Sequence, residues 1–342
     1  MSAQTHMRRE ILEIPTAIET LLSQGAEDMR AAADALRDKD PAFFISVARG
    51  SSDHAATYFK YASELIAGVP VASVGPSIAS IYTRKLKLPM AASLAISQSG
   101  KSPDIVRMAE MARAEGALSL ALTNHTDSDL AKVSQHPLGL HAGLERSVAA
   151  TKTFVTSVVS AVWLLAEWQR DADLLKAIHR LPEVLDAATR SDWNALVQHV
   201  STAQSLYCLG RGPAFALSNE AALKFKETCQ LHAESYSSAE VLHGPVSIVD
   251  HGFPVLMLCA GDAAEASVVE VADQIAGKGA KVFITSDRAA QATCLPAARS
   301  DHPLTDPIAL IVSFYALVEQ VARARGINPD EPRHLKKVTE TV

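Results

Sequence analysis

The sequence predicts a duplicated α/β protein, each half a parallel sheet flanked by helices. Three observations carry this. Short apolar runs alternate with stretches whose apolar residues recur at helical spacing. The junctions between them hold Gly- and Ser-containing turns. The order strand, turn, helix, strand, helix, strand occurs twice, with a charged, strandless stretch between the two occurrences.

The elements follow in order. IPTAIETLLSQGAEDMRAAADALRDK has helical periodicity, so residues 1–35 read as an N-terminal helical segment. Residues 36–170 form the first half. There AFFISV is a strand, and GSSDHAATYFKYASELIAG a turn and helix. MAASLAISQSG leads into the helical SPDIVRMAEMARAEG, LSLALTN is the next strand, and HPLGLHAG is a shorter one before the long helix TKTFVTSVVSAVWLLAEWQR. Residues 171–200 are the helical connection. The second half, 201–328, restarts with the strand SLYCLGRG and the helical FALSNEAALKFKETCQLH. FPVLMLCAG, AAEASVVEVADQIAGKG, KVFITSD and PIALIVSFYALVEQVARARG complete it, and 329–342 form a C-terminal tail.

Composition narrows the function. The 342 residues are 48% hydrophobic and 20% charged, with net charge −6 and no long run of one sign. That is an ordinary globular balance, and nucleic acid is not an expected partner. Cys208, Cys229, Cys259 and Cys294 are widely spaced without C-x-x-C, which reads as free thiols in a reducing compartment. The N-terminus has no signal-peptide core, and VSAVWLLA is too short to span a bilayer, so the expectation is a cytoplasmic protein with no membrane partner.

Two turns stand out. AISQSGKSPDIV ends in G-K-S like a nucleotide-binding phosphate loop, but Ala95 stands where that loop needs its first glycine. The loop also follows an earlier strand–helix unit, and the strand VFITSD that could end in a magnesium-binding Asp lies in the other half. A cradle for a phosphomonoester fits better. Ser97, Ser99 and Ser102 bring hydroxyls, Gly100 permits a tight backbone, and Pro103 suits the first turn of a helix whose free N–H groups attract an anion. ARGSSDH places Gly50, Ser51 and Ser52 at a second strand end. Ser and Gly also make ordinary turns and caps. Two such turns in one half of a parallel sheet favour a site, because ligands sit at the carboxyl ends of the strands.

ARGSSDH, ISQSGKSPD and VAATKTF, in that order, resemble the phosphosugar-binding turns of the SIS (sugar isomerase) family. HMRREILEIPTAI, LGRGPAFALSNEAALKFKETCQLHAESYSSAEVLHGP and DEPRHLKKVTETV resemble the opening, second-half motif and tail of the isomerase part of glucosamine-6-phosphate synthases. The resemblance covers nearly the whole chain. It implies two flavodoxin-like SIS subdomains and a homodimer with a shared active site. The synthases deliver ammonia from an N-terminal domain that begins with a nucleophilic cysteine. Here the isomerase-like segment begins within ten residues of Met1 and no cysteine precedes Cys208, so the expectation is a stand-alone relative resembling the SIS-type glucosamine-6-phosphate deaminases.

The resemblance also implies roles. Ser97, Gln98, Ser99 and Ser102 bind the phosphate, while Gly50, Ser51, Ser52, Val148 and Ala150 contact the sugar. Glu227 shuttles a proton between C1 and C2. On the residues alone Glu227 is one of several glutamates on an exposed helix, with Lys224 as its surface partner. Lys224 positions the sugar or stabilises charge developing on oxygen. His243 opens the ring, a task suited to an imidazole, and reaches the neighbouring subunit's site. Lys337 forms an imine, with Lys336 one residue away; without the family the two are solvated lysines on a frayed terminus. Arg49, Lys101 and Ala150 replace the synthase's Cys, Glu and Ser, which leaves the substrate and the reaction direction open.

The expected reaction is deamination of glucosamine 6-phosphate to fructose 6-phosphate and ammonia. Alternatives are a fructosamine-6-phosphate deglycase, an isomerase using free ammonia, action on the galactosamine epimer, and a non-catalytic sugar-phosphate sensor. No cofactor or metal is expected. His54 and His334 are candidate supporting groups, and the other histidines lack ligand spacing.

Overall fold

The computed structural model describes residues 4–337. It divides into two compact units. The first comprises residues 16–145 and 152–179; the second comprises the described residues up to 15, then 146–151 and 180–337.

Helices α1 (His6–Leu12), α2 (Ile14–Gln24) and α3 (Ala26–Lys39) open the chain. Thr5 caps α1, its hydroxyl accepting the Arg8 N–H at 3.0 Å. The first sheet is built along β1 (Phe43–Val47), α4 (Ser51–Ile66), β2 (Val71–Ser73), α5 (Ser77–Ser80), β3 (Ala91–Ile96), α6 (Pro103–Ala114), β4 (Leu118–Thr123), α7 (Asp129–Val133), β5 (His136–Gly139) and α8 (Lys152–Gln169). Its strands run parallel in the order β2-β1-β3-β4-β5. Strands β3 and β4 are buried at every position, as expected of a parallel sheet covered on both faces. Phe44 of β1 meets Phe59 and Trp168 edge-on, with centroids 5.0 and 5.6 Å apart, which ties β1 to α4 and α8.

Next come α9 (Ala172–Ala188) and α10 (Asn194–Val200). The second sheet follows along β6 (Ser205–Gly210), α11 (Pro213–Cys229), β7 (His232–Ser237), two short 3₁₀ turns (Glu240–His243 and Pro245–Ile248), β8 (Pro254–Leu258), α12 (Glu265–Ala276), β9 (Lys281–Ile284), β10 (Thr293–Cys294) and α13 (Asp306–Ala324). Its parallel order is β10-β9-β8-β6-β7. Counted from each half's own first strand, both sheets read 2-1-3-4-5, the flavodoxin-like order. The duplication extends to backbone angles. Gly50, after β1, has φ 55° and ψ −133°; Gly212, after β6, has φ 57° and ψ −137°. Both follow an arginine and both start the first helix of their half.

Helix α13, 19 residues long, is apolar and long enough to cross a membrane by length and composition. Ser313, Tyr315 and Glu319 interrupt its apolar run, so a run-length reading misses it. In the second unit it is a core helix, buried over most of its length and packed against α11 and α10. The four cysteines are free, with only Cys294 exposed. Burial raises the Cys208 thiol and pushes Cys229 up to about 12, which keeps both protonated and unreactive.

Candidate active site

In a 2-1-3-4-5 sheet the strand order reverses between the first and third strands, and ligands gather at the carboxyl ends there. In the first unit those ends carry Arg49–Ser52, after β1, and Ser97–Ser102, after β3. The two strands are paired, with Val47 opposite Ala95. Ala95 therefore lies inside β3, where a nucleotide-binding loop would already have left its strand.

The Ser97–Ser102 turn is held from within and from the side. Ser97 Oγ accepts the Gly100 N–H at 3.2 Å, and Ser99 Oγ accepts that of Lys101 at 3.4 Å. The Gln98 carbonyl takes the Asn124 N–H at 3.1 Å, and the Gly100 carbonyl takes that of Leu130 at 3.0 Å. Gly100 has φ +61°, and a Cβ there would lie 2.1 Å from Ser128 Oγ, so only glycine fits. Ser102 is the N-cap of α6 and Pro103 its first residue; the Ser102 hydroxyl makes no capping bond to that helix. The turn thus presents hydroxyls at the positive end of a 12-residue helix. One group opposes an anion there. Asp104, wholly buried in the first turn of α6, carries a carboxylate whose Oδ1 has no partner among the described residues. Arg49, 46% exposed, forms an ion pair with its Oδ2. At the start of α4 burial raises the Asp53 carboxyl, with His54 opposing.

The second unit holds the acid–base candidates. Lys224 on α11 is 1% exposed, and its Nζ lies 3.1 Å from Glu220 and 2.5 Å from Glu227. Glu220 is wholly buried and also accepts the Tyr315 hydroxyl at 3.1 Å; Glu227 is 23% exposed. Burial disfavours the Lys224 ammonium, but the two carboxylates outweigh it and hold the amine above its ordinary value. It is a fixed cation, suited to holding charge rather than to nucleophilic attack. The solvated surface pair that residue spacing alone allowed is thereby corrected: α11 is a core helix, and of the three clustered groups Glu227 alone reaches outward. Glu220 escaped the sequence reading, although Glu-x-x-x-Lys on a helix is a legible pairing pattern.

His243 ends the 3₁₀ turn after β7 and is exposed. It makes no hydrogen bond to Lys224, Glu227 or Lys337 among the described residues. Val148 and Ala150 flank Ala149 in the turn before α8, and Ser147 beside them is wholly buried. Lys337 Nζ donates to the Ser147 carbonyl at 2.8 Å, whereas Lys336 is exposed. Among the described residues no group of His, Cys, Asp and Glu could hold a metal ion.

The strand ends that match the cradle in the second unit are different. After β8 the Gly261 N–H donates to Asp306 Oδ2 at 2.8 Å, the Ser300 N–H donates to Oδ1 at 3.0 Å, and Arg299 pairs with the same carboxylate at 2.7 Å. Burial raises Asp262 alongside, with the Ala264 N–H opposing and Asp306 and Glu265 adding to the rise.

Two flavodoxin-like sheets, a serine-lined turn at one switch point and a carboxylate–ammonium cluster on a core helix define a class of duplicated, doubly wound α/β proteins. Residues 35–167 and 199–323 match the SIS domain family, and the chain belongs to it. A structure described as that of a candidate phosphosugar isomerase from Silicibacter pomeroyi DSS-3 is 60% identical, with TM-score 0.93 over 96% of this chain and 100% of that one. The C-terminal domain of glucosamine-fructose-6-phosphate aminotransferase from Francisella tularensis is 25% identical, with TM-score 0.84 over 97% of this chain and 99% of that one. Glutamine–fructose-6-phosphate aminotransferase [isomerizing] of Sulfurisphaera tokodaii is 30% identical over 97% of this chain and 56% of its own length. The chain therefore spans about half the length of such curated relatives.

Proposed function

We propose that the protein converts glucosamine 6-phosphate and water to fructose 6-phosphate and ammonia. The observation that carries this reading is the Glu220–Lys224–Glu227 cluster, in which a partly exposed carboxylate is held beside a buried ammonium. A carboxylate so placed can take a proton from one sugar carbon and return it to the next, while the cation stabilises charge growing on the neighbouring oxygen.

Ser97, Gln98, Ser99 and Ser102 bind the phosphate, and Gly50, Ser51, Ser52, Val148 and Ala150 contact the sugar. His243 opens the ring in the active site of the neighbouring copy of a homodimer. Glu227 moves the proton from C2 to C1, leaving a C2 imine. The Lys337 amine adds to that carbon and displaces ammonia. Water then adds, the bond to Lys337 breaks, and the ketose leaves with the lysine restored.

The test is ammonia release from glucosamine 6-phosphate with fructose 6-phosphate followed in parallel. Release of both, lowered about 10²- to 10⁴-fold in Glu227→Gln, supports the reading. Full turnover by Glu227→Gln refutes the mechanism. Phosphosugar binding without release moves the assignment to a deglycase, tested with fructosamine 6-phosphate adducts, or to a sensor.

A further inference from the structure

Helix α1 is engaged along its whole length. At its start the Asp330 carboxylate accepts the backbone N–H groups of His6 and Met7 at 2.7 and 2.8 Å. One turn on, Glu10 is 4% exposed. A carboxylate this deep needs donors on both oxygens. Glu10 finds them in one place: the backbone N–H groups of Arg146 and Ser147, and the Ser147 hydroxyl. The Ser147 peptide is thereby fixed from its N–H side. Its carbonyl is the group that receives the Lys337 ammonium.

Asp330 and Lys337 bound the same stretch of tail. Seven residues of chain reach at most about 25 Å, so anchoring one end on α1 narrows the space open to the other. Glu10 then fixes the acceptor on which that other end rests. Both holds on the tail pass through one seven-residue helix.

We infer that Glu10 is a positioning residue: it sets the Ser147 carbonyl that holds the Lys337 amine beside the Val148–Ala150 turn, with Asp330 as the second anchor. This rests on the reading of Lys337 as the imine-forming residue. Starting from the product, in the reverse of the hydrolysis that releases the ketose, the neutral amine nitrogen adds to C2 of open-chain fructose 6-phosphate. A C=N bond replaces C=O, and the oxygen leaves with both amine protons as water. Glu10 touches neither sugar nor imine; its contribution is the place from which the amine attacks.

The test uses the full chain with fructose 6-phosphate and borohydride. Borohydride delivers hydride to the imine carbon and leaves a stable secondary amine, located by peptide mass. Misplacing a reacting group by about 1 Å costs up to about 100-fold. Glu10→Gln is expected to lower the labelling rate at Lys337 and kcat by about 10- to 100-fold, with KM for the phosphosugar within about twofold. Asp330→Asn is expected to act in the same direction. Thermal melting is followed for both variants. Labelling of both variants at the wild-type rate, whether or not they melt earlier, reduces Glu10 and Asp330 to structural groups and overturns the inference. No label on Lys337 in the wild-type chain overturns the imine reading itself, and the positioning role with it. The two failures are told apart by which protein fails to label.

Discussion

Replacing Lys224 by methionine tests the cluster at the centre of the second unit. The substitution keeps the length of the side chain and removes the one cation that two carboxylates share. Breaking a buried ion pair from one side costs about 3–5 kcal/mol, because the remaining charge has no partner. Glu220 keeps its bond from the Tyr315 hydroxyl, which offsets about 1 kcal/mol, and Glu227 is partly in water. A net loss of about 3 kcal/mol corresponds to a fall in melting temperature of about 6–12 °C for a unit of this size. The pH dependence gives the sign. Lys224 is raised above its ordinary value in the folded chain. Its stabilisation is thus fully present below the unfolded lysine value of about 10.4 and is lost as pH rises through the folded value. The wild-type advantage should be wide at pH 8 and narrow at strongly alkaline pH. Circular-dichroism melts from pH 5 to 11 measure all of this. A variant that melts within about 1 °C of wild type at pH 8 would show that the three groups are not an energetically coupled buried cluster.

Other outcomes follow from the anion cradle. Gly100→Ala places a Cβ against Ser128 in a backbone region that L-residues avoid; it should cost about 1–3 kcal/mol and weaken fructose 6-phosphate binding at least about tenfold, measured by calorimetry. Arg49→Met leaves the Asp104 carboxylate un-neutralised beside the cradle, so phosphosugar KM should rise about tenfold, and Asp104→Asn in the same chain should recover most of the loss.

The architecture was legible because strands such as β3, β4 and β8 are buried on both faces and read as largely apolar runs, broken only by Ser93 in β3 and by Ser119 and the closing Thr123 in β4. The strands that went unread have physical reasons for it. Strand β2 is three residues long with two of them exposed, and β10 has two residues. Strand β7, HAESYS, is a polar edge strand paired only to β6. Of the site, the serine turns were readable as strand-end loops, but roles for Glu227, His243 and Lys337 came through the resemblance alone. Burial of Lys224 could not be read from spacing, because the same Lys–Glu pattern is more often found in water. Glu10 was invisible in principle: its partners lie 136 and 137 residues away, and nothing local distinguishes it from its neighbour Glu13.

The Asp306 carboxylate at the end of the second sheet has a consequence that is counted in equivalents. Duplication of a sheet creates two berths for an anion. In one half the berth is lined with hydroxyls; in the other the chain's own carboxylate already occupies it, held by Gly261, Ser300 and Arg299. A second phosphate arriving there would meet a negative charge that cannot leave. Titration with phosphosugar should therefore saturate at one molecule per chain, and a bisphosphorylated sugar should gain no second hold from this end.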